Sequence, residues 1–149
     1  MDLHPDLTDL LAEFARFEVR YVLLGGYAVG VYAEPRATKD LDLLVSGEGN
    51  NLERVAQALT AFGAPRHIVE GARNMSPSEV LFMGHPPVRV DLLRSADGIE
   101  TEAVIRRAAL VQVGSLTIPV IAREDLIANK KASGRPQDLA DVVALETAR

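Results

Sequence analysis

The stretch from Tyr21 to Val45, YVLLGGYAVGVYAEPRATKDLDLLV, constrains the fold more than any other part of the sequence. It begins with a short β-branched and aromatic run that predicts a buried strand, which Gly25-Gly26 ends. A short helix from about Gly26 to Ala33 is expected next. It should end before Glu34-Pro35, because a residue that precedes proline disfavours helical backbone. A second strand is predicted over Lys39 to Val45.

Helical and strand patterns alternate through the rest of the chain as well. Apolar residues at helical spacing predict a helix within residues 1–17, and further helices over about 52–62, 100–108, 124–133 and 137–147. Shorter apolar runs predict strands over about 79–83, 88–93, 110–113 and 117–121. This order favours an α/β fold in which a mixed sheet packs with helices. The length of 149 residues predicts a single domain over 1–149, closed by helices at about 124–148.

Composition excludes several classes of protein. The chain has no cysteine, so it cannot contain a disulfide framework, a thiolate zinc site or a cysteine nucleophile. A net charge of −5 argues against a broad basic surface for wrapping nucleic acid. The acidic N-terminus lacks the pattern of a signal peptide, and no apolar run approaches the ~20 residues that span a bilayer. We expect a soluble, cytoplasmic protein without a membrane partner.

Asp40 and Asp42 place two like charges on one predicted strand. Successive side chains of a strand point to opposite faces, so the two aspartates share one face while Leu41 and Leu43 take the other. Their attachment points lie ~7 Å apart, as the rise per residue requires. Magnesium prefers oxygen ligands, and a divalent cation would cancel the repulsion between the carboxylates. The pattern therefore predicts a shared divalent cation such as Mg²⁺.

Two further features fit this chemistry. Asp91 lies on the mixed face of its own predicted strand, VRVDLL, and would join the two aspartates if the strands pair side by side. Gly25-Gly26, at a strand-to-helix turn, would let backbone amides approach an anion at the positive end of the helix. A phosphate cradle that faces metal-binding carboxylates predicts phosphoryl or nucleotidyl transfer by metal ions.

The stretch GGYAVGVYAEPRATKDLDLLV resembles the minimal nucleotidyltransferase domains of the DNA polymerase β superfamily. Their pattern is a Gly-Gly or Gly-Ser turn, a short helix, Arg-x-Thr-x-Asp-hydrophobic-Asp and a later third carboxylate. The positions that match this pattern are Gly25, Gly26, Arg36, Thr38, Asp40, Asp42 and Asp91. The closing segment LIANKKASGRPQDLADVVAL is similar to bacterial abortive-infection and toxin–antitoxin nucleotidyltransferases. Its matching positions are Lys130, Arg135, Asp138 and Asp141.

This resemblance implies the nucleotidyltransferase fold and an Mg²⁺-dependent reaction. A nucleoside monophosphate would pass from a nucleoside triphosphate such as ATP to an acceptor hydroxyl, with release of pyrophosphate. The acceptor stays open between an RNA 3′ end, a protein and a small molecule. A toxin–antitoxin role would add a small helical partner protein.

The resemblance also implies roles for individual residues. Asp40 and Asp42 would hold one or two Mg²⁺ ions, and Asp91 would bind metal beside the acceptor and act as its general base. The residues expected to bind the triphosphate are Gly25, Gly26, Arg36, Thr38 and Lys130. Within this set the glycines would cradle the β- and γ-phosphates, Arg36 and Lys130 would supply positive charge, and Thr38 would support the entry into the strand. Many relatives carry serine where this chain has Gly26, so Gly26→Ser is expected to be tolerated and to add a donor.

Other interpretations remain open. The two glycines can form a plain turn, and alternating aspartates can line the solvated face of an edge strand. Lys130, Arg135, Asp138 and Asp141 can form an ion-pair set on amphipathic helices instead of contacting substrate. The histidines are scattered and lack the spacing of metal ligands. Two rival functions are a non-catalytic binding module or antitoxin-type partner with this fold, and a metal-dependent phosphoesterase.

Overall fold

The computed structural model describes residues 1–148, which form seven helices and one six-stranded sheet. The strands are β1 (Tyr21–Leu24), β2 (Asp40–Val45), β3 (Val80–Met83), β4 (Arg89–Leu93), β5 (Ala109–Val113) and β6 (Leu116–Val120). The helices are α1 (Pro5–Arg16), α2 (Gly25–Tyr32), α3 (Asn51–Phe62), α4 (Arg66–Arg73), α5 (Thr101–Arg106), α6 (Arg123–Ser133) and α7 (Pro136–Thr147). Within residues 1–148, every helix is too short or too polar to cross a membrane.

The sheet is mixed, with the strand order β3-β4-β2-β1-β6-β5. Strand β2 is central: it pairs antiparallel with β1 on one side and parallel with β4 on the other. Strand β1 also pairs parallel with β6, while β3 and β5 form the two edges as antiparallel partners. The predicted α/β class with a mixed sheet is confirmed.

The predicted elements agree with the observed ones, with one exception. Strand β1 has the expected bounds, and the other predicted elements shift by one or two residues at their ends. Helix α4 was not predicted, because its apolar stripe is short. Its eight residues bury only Ile68, Val69 and Ala72, between polar and charged neighbours.

The apolar residues of β2 determine which face of the sheet is available for chemistry. Leu41 and Leu43 are fully buried in one core together with leucines of α1 and α3. Burying a leucine side chain stabilises the fold by ~1.5–3 kcal/mol, so the register of β2 is strongly fixed. Phe14 and Tyr21 add an edge-to-face aromatic contact, with ring centroids 5.2 Å apart. The opposite face of β2, which carries the aspartates, is left for the site.

Candidate active site

The pairing of β2 with β4 brings three aspartates together. Asp42 lies directly opposite Asp91 in the parallel register, and Asp40 lies opposite Arg89. Residues that pair across neighbouring strands point to the same face, so all three carboxylates leave the sheet on the side away from Leu41. All three are partly exposed. The side-by-side strand pairing expected from the sequence is therefore present.

Asp42 lies in an environment that opposes its negative charge. Burial raises the pKa of its carboxyl group to about 7, and the negative charges of Asp91 and Asp40 act in the same direction. Lys130 and Arg135 oppose this rise through their positive charge. Near neutral pH, the folded protein therefore holds Asp42 close to the midpoint of its titration. A cation that bound these oxygens would relieve both the repulsion and the cost of burial.

Arg89 is the cation in contact with two of the three carboxylates. Its Nε atom donates a hydrogen bond to Asp91 Oδ1 at 2.9 Å and lies 3.5 Å from Asp40 Oδ1. Its guanidinium group lies over the ring of Phe82, 4.5 Å from the centroid. With the side chains in this arrangement, no group of three or more acidic or histidine residues within 1–148 is positioned to hold a metal ion. The three carboxylates and their strand register suit a divalent cation. The side chains of Asp40 and Asp91, however, are oriented toward Arg89.

The Gly25-Gly26 turn lies against the same carboxylate. Gly25 has a φ of +75°, and a Cβ atom at this residue would lie 2.1 Å from Asp42 Oδ2. Only glycine accepts both this backbone conformation and this close approach at low cost. Among the described residues, no side chain caps the start of α2, whose backbone begins at Gly25. The turn therefore offers uncapped amides beside Asp42, which is the arrangement that suits a bound phosphate.

Gly26 is packed against residues of the loop that leads into β2. A Cβ atom at Gly26 would lie 2.8 Å from Thr38 Oγ1, 2.9 Å from Thr38 Cβ and 3.2 Å from Arg36 Nη2. The Thr38 hydroxyl donates to the carbonyl oxygen of Asp40 at 3.3 Å, at the entry to the strand. Serine at position 26 therefore requires Thr38 to move. The effect of Gly26→Ser on nucleotide binding stays a prediction, and this contact, which the sequence does not reveal, argues against a gain.

A buried charged cluster joins the last two helices to this loop. Arg36 donates to both carboxylate oxygens of Asp141, at 2.9 Å each. Lys130 Nζ lies 3.1 Å from Asp141 Oδ2 and 3.3 Å from Asp138 Oδ1, and Arg135 Nε donates to Asp138 Oδ2 at 2.8 Å. The two carboxylates are each 2% exposed, so their charges are almost fully withdrawn from water. We call Arg36, Lys130, Arg135, Asp138 and Asp141 the closing cluster.

The closing cluster has the character of a paired network. Burial acts to raise the pKa values of Asp138 and Asp141, but hydrogen bonds from Arg135 to the former and from Arg36 and Lys130 to the latter lower both pKa values overall. Both carboxylates are therefore ionised. The ion-pair interpretation of these residues is confirmed as geometry, and three cations against two anions leave a net positive charge.

An open cleft connects the carboxylates of β2, the turn at Gly26 and the closing cluster. Its lining comprises Gly26, Arg36, Ala37, Thr38, Lys39, Asp40, Asp42, Lys130, Arg135, Pro136, Gln137 and Asp138. The cleft has a volume of ≈ 430 Å³, which falls within the size range of small-molecule sites. One wall carries the carboxylates of β2 and another carries the cations of the closing cluster. This polarity suits a ligand that has both a metal-binding and an anionic part.

Two residues that lie beside the carboxylates are not singled out by the sequence pattern. Arg89 shares the face of Asp91, because the two are two residues apart on one strand, and this alternation was the available signal. Phe82 pairs with Asp91 from the edge strand β3 and is 56% exposed. Its proximity depends on an antiparallel pairing that residue spacing alone does not specify.

Comparisons with known proteins agree with this geometry. The family model for the AbiEii toxin, a nucleotidyltransferase of a type IV toxin–antitoxin system, matches residues 9–149. The fold is similar to that of lincosamide antibiotic adenylyltransferase LnuA, solved with lincomycin bound, with a TM-score of 0.62 and 16% identity over 97% of each chain. It is also similar to ANT(2″)-Ia in complex with adenylyl-2″-tobramycin, with a TM-score of 0.60 and 15% identity over 95% of this chain and 86% of that one. No curated protein matches the chain significantly in sequence.

The structural neighbours are too distant in sequence to indicate more than a shared nucleotidyltransferase fold. The family model, by contrast, covers almost the whole chain, including both aspartate strands and the closing cluster. The protein therefore belongs to the AbiEii nucleotidyltransferase toxin family.

Proposed function

We propose that this protein transfers a nucleoside monophosphate from a nucleoside triphosphate to an acceptor hydroxyl and releases pyrophosphate. The observation that carries the proposal is the meeting of Asp42 with Asp91 on one side and with the start of α2 on the other. The carboxylate pair supplies ligands for a metal, and the helix start supplies amides for phosphate oxygens. A nucleoside triphosphate and its metal ion need both kinds of contact.

Asp40, Asp42 and Asp91 are the proposed metal ligands, since a set of carboxylate oxygens suits magnesium. Magnesium, when bound, would neutralise the triphosphate and hold the attacking and leaving oxygens in line. Asp91 also accepts the proton of the acceptor hydroxyl, whose oxygen forms the new bond to the α-phosphorus as the bond to pyrophosphate breaks. The contacts of Asp40 and Asp91 with Arg89 would have to open first.

Gly25 and Gly26 are the proposed contacts for the terminal phosphates through their backbone amides. Thr38 would keep its supporting role at the entry to β2, as its hydrogen bond to Asp40 indicates. Arg36 and Lys130 would act through the net positive charge of the closing cluster, since their nearest hydrogen-bonding atoms already serve Asp141 and Asp138. This modifies their expected part in phosphate binding. Both residues would attract the phosphates mainly through the electrostatic field of their positive charges, which partial burial strengthens.

The family supports a toxin role within a toxin–antitoxin pair. We propose that the protein acts in the cytoplasm on an RNA or protein acceptor, with a small antitoxin protein as partner. A small hydroxylated antibiotic is the second candidate acceptor, because both structural neighbours were solved with such molecules or their adenylylated product. These candidates can be tested in one experiment.

The test supplies the protein with each nucleoside triphosphate labelled at the α-phosphate, with Mg²⁺ and with three acceptor pools. The pools are total RNA, total protein, and a panel of lincosamide and aminoglycoside antibiotics. We expect label to appear in one pool with equimolar pyrophosphate, and to disappear with EDTA, Asp42→Asn or Asp91→Asn. Expression of the wild type but not of Asp42→Asn should arrest growth if the protein is a toxin.

Two outcomes would favour the rival functions. Binding of metal and nucleotide without label transfer to any pool would favour a non-catalytic binding module. Release of labelled monophosphate without an acceptor would favour a phosphoesterase.

A further inference from the structure

Arg89 places a positive charge where a bound metal ion would place one. It lies on the same strand as Asp91, one of the proposed metal ligands. It lies across from Asp40 in the register of β2 and β4 and two residues before Asp91. One atom, Nε, is directed at both carboxylates, at 2.9 Å from Asp91 and 3.5 Å from Asp40. Arginine keeps its charge at every pH at which the protein is folded, so this cation cannot be removed by titration.

We propose that Arg89 is a built-in counter-cation that holds Asp40 and Asp91 in place of a metal and must be displaced when a divalent ion binds. The proposal rests on the proposed function, because it requires the carboxylates to be metal ligands. It explains why the three aspartates share one face and one register without forming a ready ligand group in the described residues. Arg89 would set the threshold of metal concentration at which the site becomes occupied.

The competition follows from the oxygen atoms involved. Asp91 Oδ1 accepts the hydrogen bond from Arg89, so a metal that binds this oxygen competes with the Arg89 N–H group for the lone pairs of the oxygen. A dication and a guanidinium within a few ångströms of each other also repel. A neutral glutamine at position 89 removes the repulsion and leaves at most a weaker, uncharged hydrogen bond. Metal binding should therefore be tighter without Arg89, whereas a residue that merely supports the site would weaken metal binding when removed.

Phe82 gives the displaced guanidinium a place to remain. Its ring faces the Arg89 guanidinium at 4.5 Å, within the range of a cation–π contact, and the ring is 56% exposed at the edge strand. Arg89 can therefore leave the carboxylates by a side-chain rotation while it stays over the ring. No backbone movement of β4 is needed. The exchange is thus compatible with a rigid sheet.

The experiment measures Mn²⁺ binding by the full chain without nucleotide, from the EPR signal of the free ion. The variants are Arg89→Gln, Arg89→Lys and Asp42→Asn. The control, Arg107→Gln, removes the same charge from an ion pair with Asp125, on α6. We expect Arg89→Gln to bind Mn²⁺ about three- to tenfold more tightly than the wild type, with Arg89→Lys between them and Arg107→Gln unchanged. Metal-free Arg89→Gln should also melt at a lower temperature than the wild type, and saturating Mn²⁺ should remove the difference.

Each contrary result has its own meaning. Equal or weaker Mn²⁺ binding by Arg89→Gln, with binding abolished in Asp42→Asn, would overturn the role of Arg89 and leave the proposed function intact. Absence of Mn²⁺ binding in the wild type and all variants, with and without a non-hydrolysable triphosphate, would overturn the proposed function and this inference together. A metal-free Arg89→Gln as stable as the wild type would show that the guanidinium does not hold the carboxylates.

Discussion

Replacing Asp42 by asparagine should stabilise the protein at alkaline pH while it abolishes nucleotidyl transfer. The carboxyl group has a pKa of about 7 in the folded protein, raised by burial and by the charges of Asp91 and Asp40. In the unfolded chain an aspartate has a pKa of ~3.9. Each pH unit between these values corresponds to ~1.36 kcal/mol, so the upper limit of the effect is about 4 kcal/mol. Because water partly screens this carboxylate, we expect about 1–3 kcal/mol.

The sign follows from proton binding. Between about pH 4 and about pH 7, folded wild-type protein holds a proton on Asp42 that the unfolded chain has released, so its stability falls as the pH rises. Asparagine does not titrate, and this loss disappears. The advantage of Asp42→Asn should therefore be small near about pH 4, grow through this window and stay constant above about pH 8.

The assay is urea denaturation of both proteins at several pH values, with Asp9→Asn as the matched control. Asp9 is an exposed residue of α1, so Asp9→Asn controls for the same chemical change at the protein surface. Wild-type and Asp42→Asn curves that run parallel from acid to alkaline pH would refute the reasoning. Loss of folding in the variant would instead assign Asp42 a structural role.

Four further predictions concern the metal, the two glycines of the turn and the closing cluster. Because Asp42 must release its proton to bind metal, Mn²⁺ affinity measured by EPR should be about tenfold weaker at pH 6 than at pH 8; equal affinities would contradict this. Gly25→Ala should lose about 1–2 kcal/mol through backbone strain alone and should bind nucleotide poorly, as urea denaturation and calorimetry would show. Gly26→Ser should weaken nucleotide binding, since Thr38 must shift, and a gain in affinity would disprove the packing argument. Lys130→Met should destabilise the fold, because it removes the cation that lies between two buried carboxylates. The loss in thermal melts should be only about 2–3 kcal/mol, because each carboxylate keeps an arginine partner; no change would show that the lysine is dispensable.

Much of the fold was predictable because its signals are local. The strand at Tyr21–Leu24 is ended by two glycines, and the alternation of Asp40 and Asp42 with buried leucines assigns each residue of β2 to a face. Asp91 could be proposed for the site on its alternation pattern, but its position depended on the pairing of β4 beside β2. That pairing is a long-range choice that the local pattern does not specify.

Most of the unpredicted features of the candidate site are contacts between residues that are well separated in the sequence. The ion pair of Arg36 with Asp141 joins residues 105 positions apart and makes Arg36 a member of the closing cluster, while its part in phosphate binding stays a prediction. Thr38 fills the space that a serine at position 26 would need. The alternation along β4 places Arg89 on the same face as Asp91, but its contact with Asp40 depends on the parallel pairing of β2 with β4.

The measurement that tests the central claim most directly is calorimetric titration of a non-hydrolysable nucleoside triphosphate into the protein, with Mg²⁺ and with EDTA. The claim is that Asp42, Asp91 and the start of α2 form one site for a nucleotide and its metal. It predicts binding by the wild type with Mg²⁺, with little or none in EDTA and in Asp42→Asn, and weaker binding in Gly25→Ala. Nucleotide binding that is equally tight in EDTA and in Asp42→Asn would contradict it, because the carboxylates would then take no part in holding the substrate.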